Sequence, residues 1–399
     1  MTPFVEAIFT YEKEKENRLS IIPLSGAQEI AEQIDYYLNK WFKEKASIHC
    51  KTNPKGTFLL KNQCPRFTTG DAKGMVCETV RGKDVYILCD VGNYSIEYEM
   101  FGRKNRMSPD DHYADLKRII SAMAGKASKI TVIMPLLYGG RQHRRNARES
   151  LDCSQMLHEL YDMGVTDIIT FDAHDPRVQN AVPLMGFDNF LPTYQILKAL
   201  LRKYPNVKVD KNNFMVVSPD EGAMSRNMYY SAVLGVDLGM FYKRRDYSTI
   251  VNGRNPIVAH EYIGNDVKGK TVFVADDIIA TGDSVLRLCS ELKEYGAEKI
   301  FLTATYALFT EGLKKFDDAY EQGLFTAVIS TNLTYVPEEL KQREWFICAD
   351  LSKFLAYIIV ACNQGMSLSE LLDPHDKIND LIKKYNIPGP EKEDALDID

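Results

Sequence analysis

Asp276 and Asp277 close a run of β-branched and aromatic residues in "VFVADDIIATGDSVL", Val272 to Leu286, and Thr281, Gly282, Asp283 and Ser284 follow a few residues on. A strand that ends this way places its last side chains at the carboxyl edge of a sheet, where ligands of open parallel sheets bind. Beyond Ser284, residues Val285, Leu288, Cys289, Leu292 and Tyr295 recur at the spacing of one helical face. A strand, a short loop with hydroxyls and glycine, and a helix start together make an anion site from backbone amides and the helix dipole. Carboxylates beside such a cradle cannot hold phosphate; they suit sugar hydroxyls or a metal ion. The ligand that fits carries a phosphate at one end and a polyol next to it. An isolated acidic pair would merely end a strand, so the weight rests on the whole pattern.

Other places carry reactive groups whose plain readings are structural. In "FYKRRD", Phe241 to Asp246, Lys243 and Arg245 lead into the polar, glycine-containing "DYSTIVNGRNP", and such a cluster standing alone is a solvated turn. The basic run Arg141, Arg144, Arg145 and Arg148 reads by itself as an exposed loop, and His174 as a structural strand-end histidine. Gly264 to Thr271, "GNDVKGKT", satisfies the G-x-x-x-x-G-K-[ST] phosphate-loop pattern. That loop needs a strand before it and a helix after it. Here Gly269, Lys270 and Thr271 run into the strand "VFVADD", so a turn entering a strand is the better reading.

The elements that must position these groups follow one repeated pattern. An amphipathic stretch ending at glycine, then a β-rich run, appears at "YADLKRIISAMAGKASKITVIMPLL", "CSQMLHELYDMGVTDIITFDAH" and "VLRLCSELKEYGAEKIFLTATYAL". Gly125, Gly164 and Gly296 supply left-handed helix ends, and the runs beyond them read as strands buried on both faces. Helices alternating with such strands mean parallel sheet, hence an α/β fold. The polar "KYPNVKVDKNN", Lys203 to Asn213, reads as the link between two halves. Roughly the first sixty residues, polar and weakly periodic, and the acidic "PGPEKEDALDID" are expected to be peripheral, the latter disordered.

A chain of 399 residues exceeds one ordinary domain, and its net charge of -6 argues against a nucleic-acid surface. No apolar run approaches the roughly 18 residues of a membrane span, and the start lacks a signal pattern, so a cytoplasmic protein with no membrane partner is expected. The eight cysteines contain no C-x-x-C pair, which favours reduced structural thiols over a zinc knuckle or disulfide framework.

"VFVADDIIATGDS" resembles the phosphoribosyl-diphosphate motif of the phosphoribosyltransferase fold. That likeness implies that Asp276 and Asp277 hold ribose hydroxyls and that Ala280, Thr281, Gly282, Asp283 and Ser284 hold the 5-phosphate. "VRGKDVYIL", "ITVIMPLLYGGRQHRRNARES", "ITFDAHDP", "VVSPDEGAMSR" and "FYKRRD" follow in the order found in ribose-phosphate pyrophosphokinases, and the resemblance runs from about Phe67 to about Leu372. It implies an α/β fold of two phosphoribosyltransferase-like domains, each a mainly parallel sheet flanked by helices. It also implies a homo-oligomer built on hexamers or dimers. The implied reaction moves the diphosphate of ATP to the 1-hydroxyl of ribose 5-phosphate with Mg²⁺, giving 5-phosphoribosyl 1-diphosphate and AMP.

Residue by residue, Lys243 and Arg245 match the family's basic catalytic pair, and His174 and Asp220 its metal ligands. Arg141 and Gln142, followed by His143, match the nucleotide-binding stretch, and Phe67, Thr69 and Asp71 the adenine loop. Several positions depart from the pattern. Thr69 stands for an Asp, Asp71 for a Glu, His143 for an acidic residue, Ala280 for an Asp and Asp283 for a small residue. An acid inside a phosphate cradle weakens binding unless its side chain points away. The expected layout is an ATP-side domain over 1–195, a ribose 5-phosphate domain over 196–345, a segment over 346–372 that packs back on the first, and a peripheral tail over 373–399. The competing functions are a non-catalytic regulatory subunit, favoured by the departures, and a phosphoribosyltransferase, which needs only one such domain.

Overall fold

The computed structural model describes residues 18–49, 56–145, 147–245 and 257–386. The first half contains strands β1 (Leu19–Pro23), β2 (Asn62–Gln63), β3 (Met75–Val76), β4 (Asp84–Leu88), β5 (Glu97–Met100), β6 (Arg103–Arg106), β7 (Lys129–Ile133), β8 (Asp167–Phe171) and β9 (Gly186–Phe190). Its helices are α1 (Gln28–His49), α2 (Pro109–Met123) and α3 (Asp152–Asp162). Five strands form a wholly parallel sheet in the order β1-β4-β7-β8-β9, and β5 and β6 form a separate antiparallel hairpin. Every residue of β4, β7 and β8 after the first is buried, the pattern of strands covered on both faces. Helix α2 begins with a Ser108–Asp111 capping box and Pro109, and its chain reverses through Ala124 and Gly125, both left-handed at φ 52° and 66°. Gly164 and Gly296 close the other two repeats at φ 90° and 85°.

The second half runs through α4 (Thr193–Lys203), β10 (Phe214–Ser218), α5 (Met224–Leu234), β11 (Asp237–Arg245), β12 (Ile257–Ile263), β13 (Thr271–Ile279), α6 (Asp283–Glu294), β14 (Lys299–Ala307), α7 (Lys314–Glu321), β15 (Ala327–Thr331), α8 (Glu338–Lys341) and β16 (Phe346–Ala349). These strands form one sheet in the order β12-β11-β10-β13-β14-β15-β16, parallel except for the β11–β12 pair. Helices α9 (Ser352–Gln364), α10 (Ser369–Leu372) and α11 (His375–Asn386) follow. "GNDVKGKT" leads into β13, and no helix follows it.

The chain divides into two units. The first holds Met1–Leu191, Asn332–Tyr335 and Asp350–Asp373; the second holds Pro192–Thr331, Val336–Ala349 and Pro374–Asp399. In the first, α9 packs on α1 with Trp41 and Tyr357 stacked at 4.4 Å. Asp90, buried at the end of β4, accepts hydrogen bonds from Thr334 Oγ1 at 2.9 Å and from the Tyr335 N–H at 3.1 Å. These bonds tie the short 332–335 excursion into the first unit.

Several sequence expectations change. The segment at the start is not wholly peripheral, because β1 is fully buried and Ala31, Ile34, Leu38 and Trp41 form a buried stripe on α1. "KYPNVKVDKNN" is no link between halves; it joins α4 to β10 inside the second unit, with Val207 and Val209 buried, and the break falls at Leu191. Phe346–Ala349 pairs with β15, so the return to the first unit begins at Asp350 rather than at 346. Part of the expected tail is α11, whose Ile378, Leu381 and Tyr385 are buried in the second unit. The acidic end beyond Asn386 and the stretch after Arg245 lie outside the described residues. No described helix is long and apolar enough to cross a membrane. The described cysteines are all free, with Cys89, Cys153 and Cys289 buried.

Candidate functional site

Strand β13 delivers the acidic pair. Its first five residues are buried, and parallel pairing to β14 continues through Asp276, opposite Ala304. Contrary to the sequence expectation, the strand does not end at the pair but runs on to Ile279. Asn227 on α5 fixes it just before the pair: its Nδ2 donates to Ala275 O at 2.7 Å and its Oδ1 accepts from Ala275 N–H at 3.1 Å. Asp277 is buried, and its N–H donates to Asp276 Oδ1 at 2.9 Å. Burial at this edge and the Asp277 carboxylate beside it push the Asp276 carboxyl well above the usual range, against the Arg226 guanidinium 3.7 Å away. Two like charges this close cannot both ionise cheaply. The pair is therefore primed for hydroxyl donors or a cation. Arg226 and Asn227, adjacent on α5, were not assigned from the sequence, although Arg226 ends the quoted "SPDEGAMSR" motif.

The loop after β13 is held from two sides. Ala280 O accepts from Thr310 N–H at 3.0 Å. Gly282, left-handed at φ 87°, caps α6, and a Cβ on it would lie 2.3 Å from Phe316 at the start of α7. Only glycine meets both demands. Asp283 does not turn into the cradle as a bare charge, because Lys315 Nζ donates to its Oδ1 at 2.6 Å. That bond holds the Asp283 carboxyl below its ordinary value. Lys315 also pairs with Glu311. Thr281 and Ala280 are half-buried and Ser284 is exposed, so loop and first helical turn present hydroxyls and amides without an uncompensated acid.

Asp220 follows β10 in the same unit; its Oδ1 accepts from Ala223 N–H at 3.2 Å. The backbones of Lys243 and Arg245 lie at the end of β11, opposite His260 and Ile257, with a register shift between Arg244 and Arg245. A bulge of this kind re-aims side chains beside active sites. The side chains of Lys243 and Arg245 lie outside the described residues.

In the first unit, Phe67 to Asp71 form a tight turn. Phe67 N–H donates to Asp71 O at 2.7 Å and Gly70 N–H to Phe67 O at 2.8 Å. Thr69 Oγ1 donates to Asp71 Oδ2 at 2.9 Å, so the two departures from the family pattern bond each other. Phe67 itself is 54% exposed. Just before it, Arg66 makes a buried two-point pair with Asp115 at 2.8 and 3.0 Å. The β5–β6 hairpin, unread in the sequence, bonds this turn through Phe101 N–H to Thr68 O at 3.0 Å.

Past β8, Asp172 takes the left-handed φ of 44°, and His174 beyond it is exposed. Its ring lies 5.3 Å from that of His143, whose Nε2 is 3.6 Å from Asp175. The hydrogen-bonded Arg177 guanidinium is the main cause holding Asp175 down at about 2. His143 Nδ1 is buried without a hydrogen-bond partner among the described residues. Arg141 and Gln142 are exposed beside it. The structure thus brings His143 and His174 together; Asp220 belongs to the other unit. Among the described residues no group of three or more His, Cys, Asp or Glu side chains forms a metal cage.

Residues 19–164 match the model of the N-terminal domain of ribose phosphate pyrophosphokinase, and residues 188–343 that of the phosphoribosyl transferase domain. A ribose-phosphate pyrophosphokinase of Vibrio parahaemolyticus is 27% identical over 315 residues, 77% of this chain and 90% of that protein. One of Mycoplasma genitalium is 25% identical over 325 residues, covering 80% and 93%. The crystal structure of phosphoribosylpyrophosphate synthetase from Mycobacterium smegmatis superposes with a TM-score of 0.68 at 21% identity, over 87% of this chain and 99% of that one, a likeness of fold.

Proposed function

The chain belongs to the ribose-phosphate pyrophosphokinase family, and from that premise we propose that it transfers the diphosphate of ATP to the 1-hydroxyl of ribose 5-phosphate, releasing 5-phosphoribosyl 1-diphosphate and AMP. The observation that carries this reading is the second unit's acidic pair beside a loop whose one acid is already neutralised. Asp276 and Asp277 accept from the ribose hydroxyls, while Ala280 to Ser284 and the start of α6 take the 5-phosphate. Phe67, Thr69, Asp71, Arg141, Gln142 and His143 bind ATP in the first unit. An exposed phenyl ring suits a purine, and guanidinium and amide groups suit phosphate.

The bond formed joins the ribose O1 to the β-phosphorus, and the bond broken lies between the α- and β-phosphates. Little covalent chemistry is left to the protein, so positioning and cationic stabilisation carry the rate. Lys243 and Arg245 supply that positive charge. His174 in the first unit and Asp220 in the second are each a donor that Mg²⁺ could use, the carboxylate oxygen the better suited of the two. When bound, Mg²⁺ offsets the negative charge on the ATP phosphates. The working protein is a homo-oligomer of the cytoplasm.

Phosphorus NMR of the purified chain with ATP, ribose 5-phosphate, Mg²⁺ and inorganic phosphate tests the reading. Phosphoribosyl diphosphate and AMP should accumulate in equal amounts. Folded protein that binds both substrates without turnover would point instead to the regulatory-subunit alternative. Lys243→Ala should lower turnover on the order of a hundredfold while ribose 5-phosphate affinity stays within about threefold, because its charge acts in the transition state. Unchanged turnover removes Lys243 from the mechanism.

A further inference from the structure

Strands β5 and β6 are joined by two residues, Phe101 and Gly102, with Met100 paired to Arg103. Both joining residues are left-handed, at φ 50° and 71°, as a type I′ hairpin turn requires. The first position of that turn suits Asn, Asp or Gly, and a phenylalanine there is strained. Packing does not repay it, since Phe101 is 77% exposed. Backbone outliers that the surrounding structure holds in place point to function.

The hairpin is seated on the Phe67 turn. Phe101 N–H donates to Thr68 O at 3.0 Å, and a Cβ on Gly70 would lie 2.5 Å from Met100 Sδ. The tip therefore sets an exposed ring beside a turn that carries a second exposed ring, Phe67. The other end of the hairpin roofs a cavity of about 330 Å³ lined by Cys64, Arg66, Tyr98, Met107 and Asp115 among others. The Arg66 guanidinium is committed to Asp115 and lies 5.1 Å from the Tyr98 ring centre, so the cavity itself has no spare cation for a phosphate, although Arg103, Lys104 and Arg106 are exposed along β6, the last two beside Glu97 at 3.6 and 3.8 Å. What sets the tip apart from those cations is an aromatic face, which a base can use and a phosphate cannot.

We infer that Phe101 is a base-binding residue, contacting the purine of ATP together with Phe67. The inference rests on reading Phe67 to Asp71 as the nucleotide loop. A planar base stacks on a phenyl face whatever its hydrogen-bonding edge, so Phe101 adds affinity for the base and none for the phosphates.

Calorimetry on the full chain decides it, with ATP and with inorganic tripolyphosphate, which lacks the base. Phe101→Asn suits the turn and should fold with an undiminished melting temperature. It should weaken ATP about tenfold, within the range of one base–aromatic stack, and leave tripolyphosphate unchanged. Phe101→Trp should keep ATP affinity near that of the parent. If Phe67→Ala weakens ATP and Phe101→Asn does not, the inference fails while the nucleotide loop stands. The inference also fails if tripolyphosphate weakens in step, or if Phe101→Asn changes only the oligomer's mass in sedimentation. No ATP binding by the parent chain would overturn the nucleotide loop and the inference together.

Discussion

A carboxylate at the start of a phosphate-holding helix repels its ligand unless another charge answers it. Lys315 answers Asp283 at 2.6 Å. Lys315→Met should weaken ribose 5-phosphate binding by about fivefold at low salt, less at high salt because an exposed charge is screened. Adding Asp283→Gly should restore it, and calorimetry showing no recovery would break the coupling. Asp276 carries a different consequence. Burial and Asp277 raise its carboxyl, so near neutral pH part of the protein holds a proton where, on the proposed function, the ribose hydroxyls need an acceptor. The ligand favours the ionised form, and affinity should therefore rise with pH through the raised value. The measurement is the ribose 5-phosphate Kd across about pH 7 to 9, where the ligand's own phosphate is largely dianionic. Asp277→Asn should weaken binding and move that slope to lower pH without abolishing it, because the neighbouring charge is gone while burial, the larger cause, remains; Asp276→Asn should abolish it. A slope that survives Asp276→Asn would place the titration elsewhere. The two carboxylates were legible because they end a continuous apolar run; Lys315 was not, because nothing near it in the chain marks it as a partner.

Among the elements, β13, its loop and α6 were readable together, since strand, turn and helix are neighbours in the chain and each leaves its own periodicity. The packing of that loop on α7 was not. Gly282→Ala sets a methyl group against Phe316 at 2.3 Å on a backbone already left-handed. It should lower stability by about 1 kcal/mol or more and loosen ribose 5-phosphate binding, read by thermal melting and calorimetry. A melting curve and Kd equal to the parent's would mean that the loop is not held as described. The β5–β6 hairpin escaped the sequence reading because only four residues, "EYEM", alternate polar and apolar, its second strand "RKNR" is wholly polar, and its Phe-Gly turn is not the usual signal. Helix α1 escaped it for a related reason. Its buried residues Ala31, Ile34, Leu38 and Trp41 do fall at helical spacing, but mostly polar neighbours dilute the pattern.

Across the whole molecule, the units are not consecutive lengths of chain. A fragment of residues 1–191 lacks Asp350–Asp373, which the first unit contains. It would leave the face of α1 that packs on α9 uncovered, including Trp41, and Asp90 buried without its Thr334 partner. A buried carboxyl left with only the Gly92 N–H and an open apolar face both oppose folding. The fragment should melt without a cooperative transition by circular dichroism, and a peptide of residues 332–373, which carries both Thr334 and α9, should restore one. Cooperative melting of the fragment alone would show that the later segment is dispensable. The sequence by itself determined the α/β class, the order of the motifs and the family, because strand and helix periodicities and motif residues are local properties of the chain. Tertiary structure alone decided which polar groups meet: Asp283 with Lys315 across 32 positions, Arg66 with Asp115 across 49, Asp90 with Thr334 across 244. Such pairings depend on where whole elements come to rest, and that is set by the packing of many buried side chains at once.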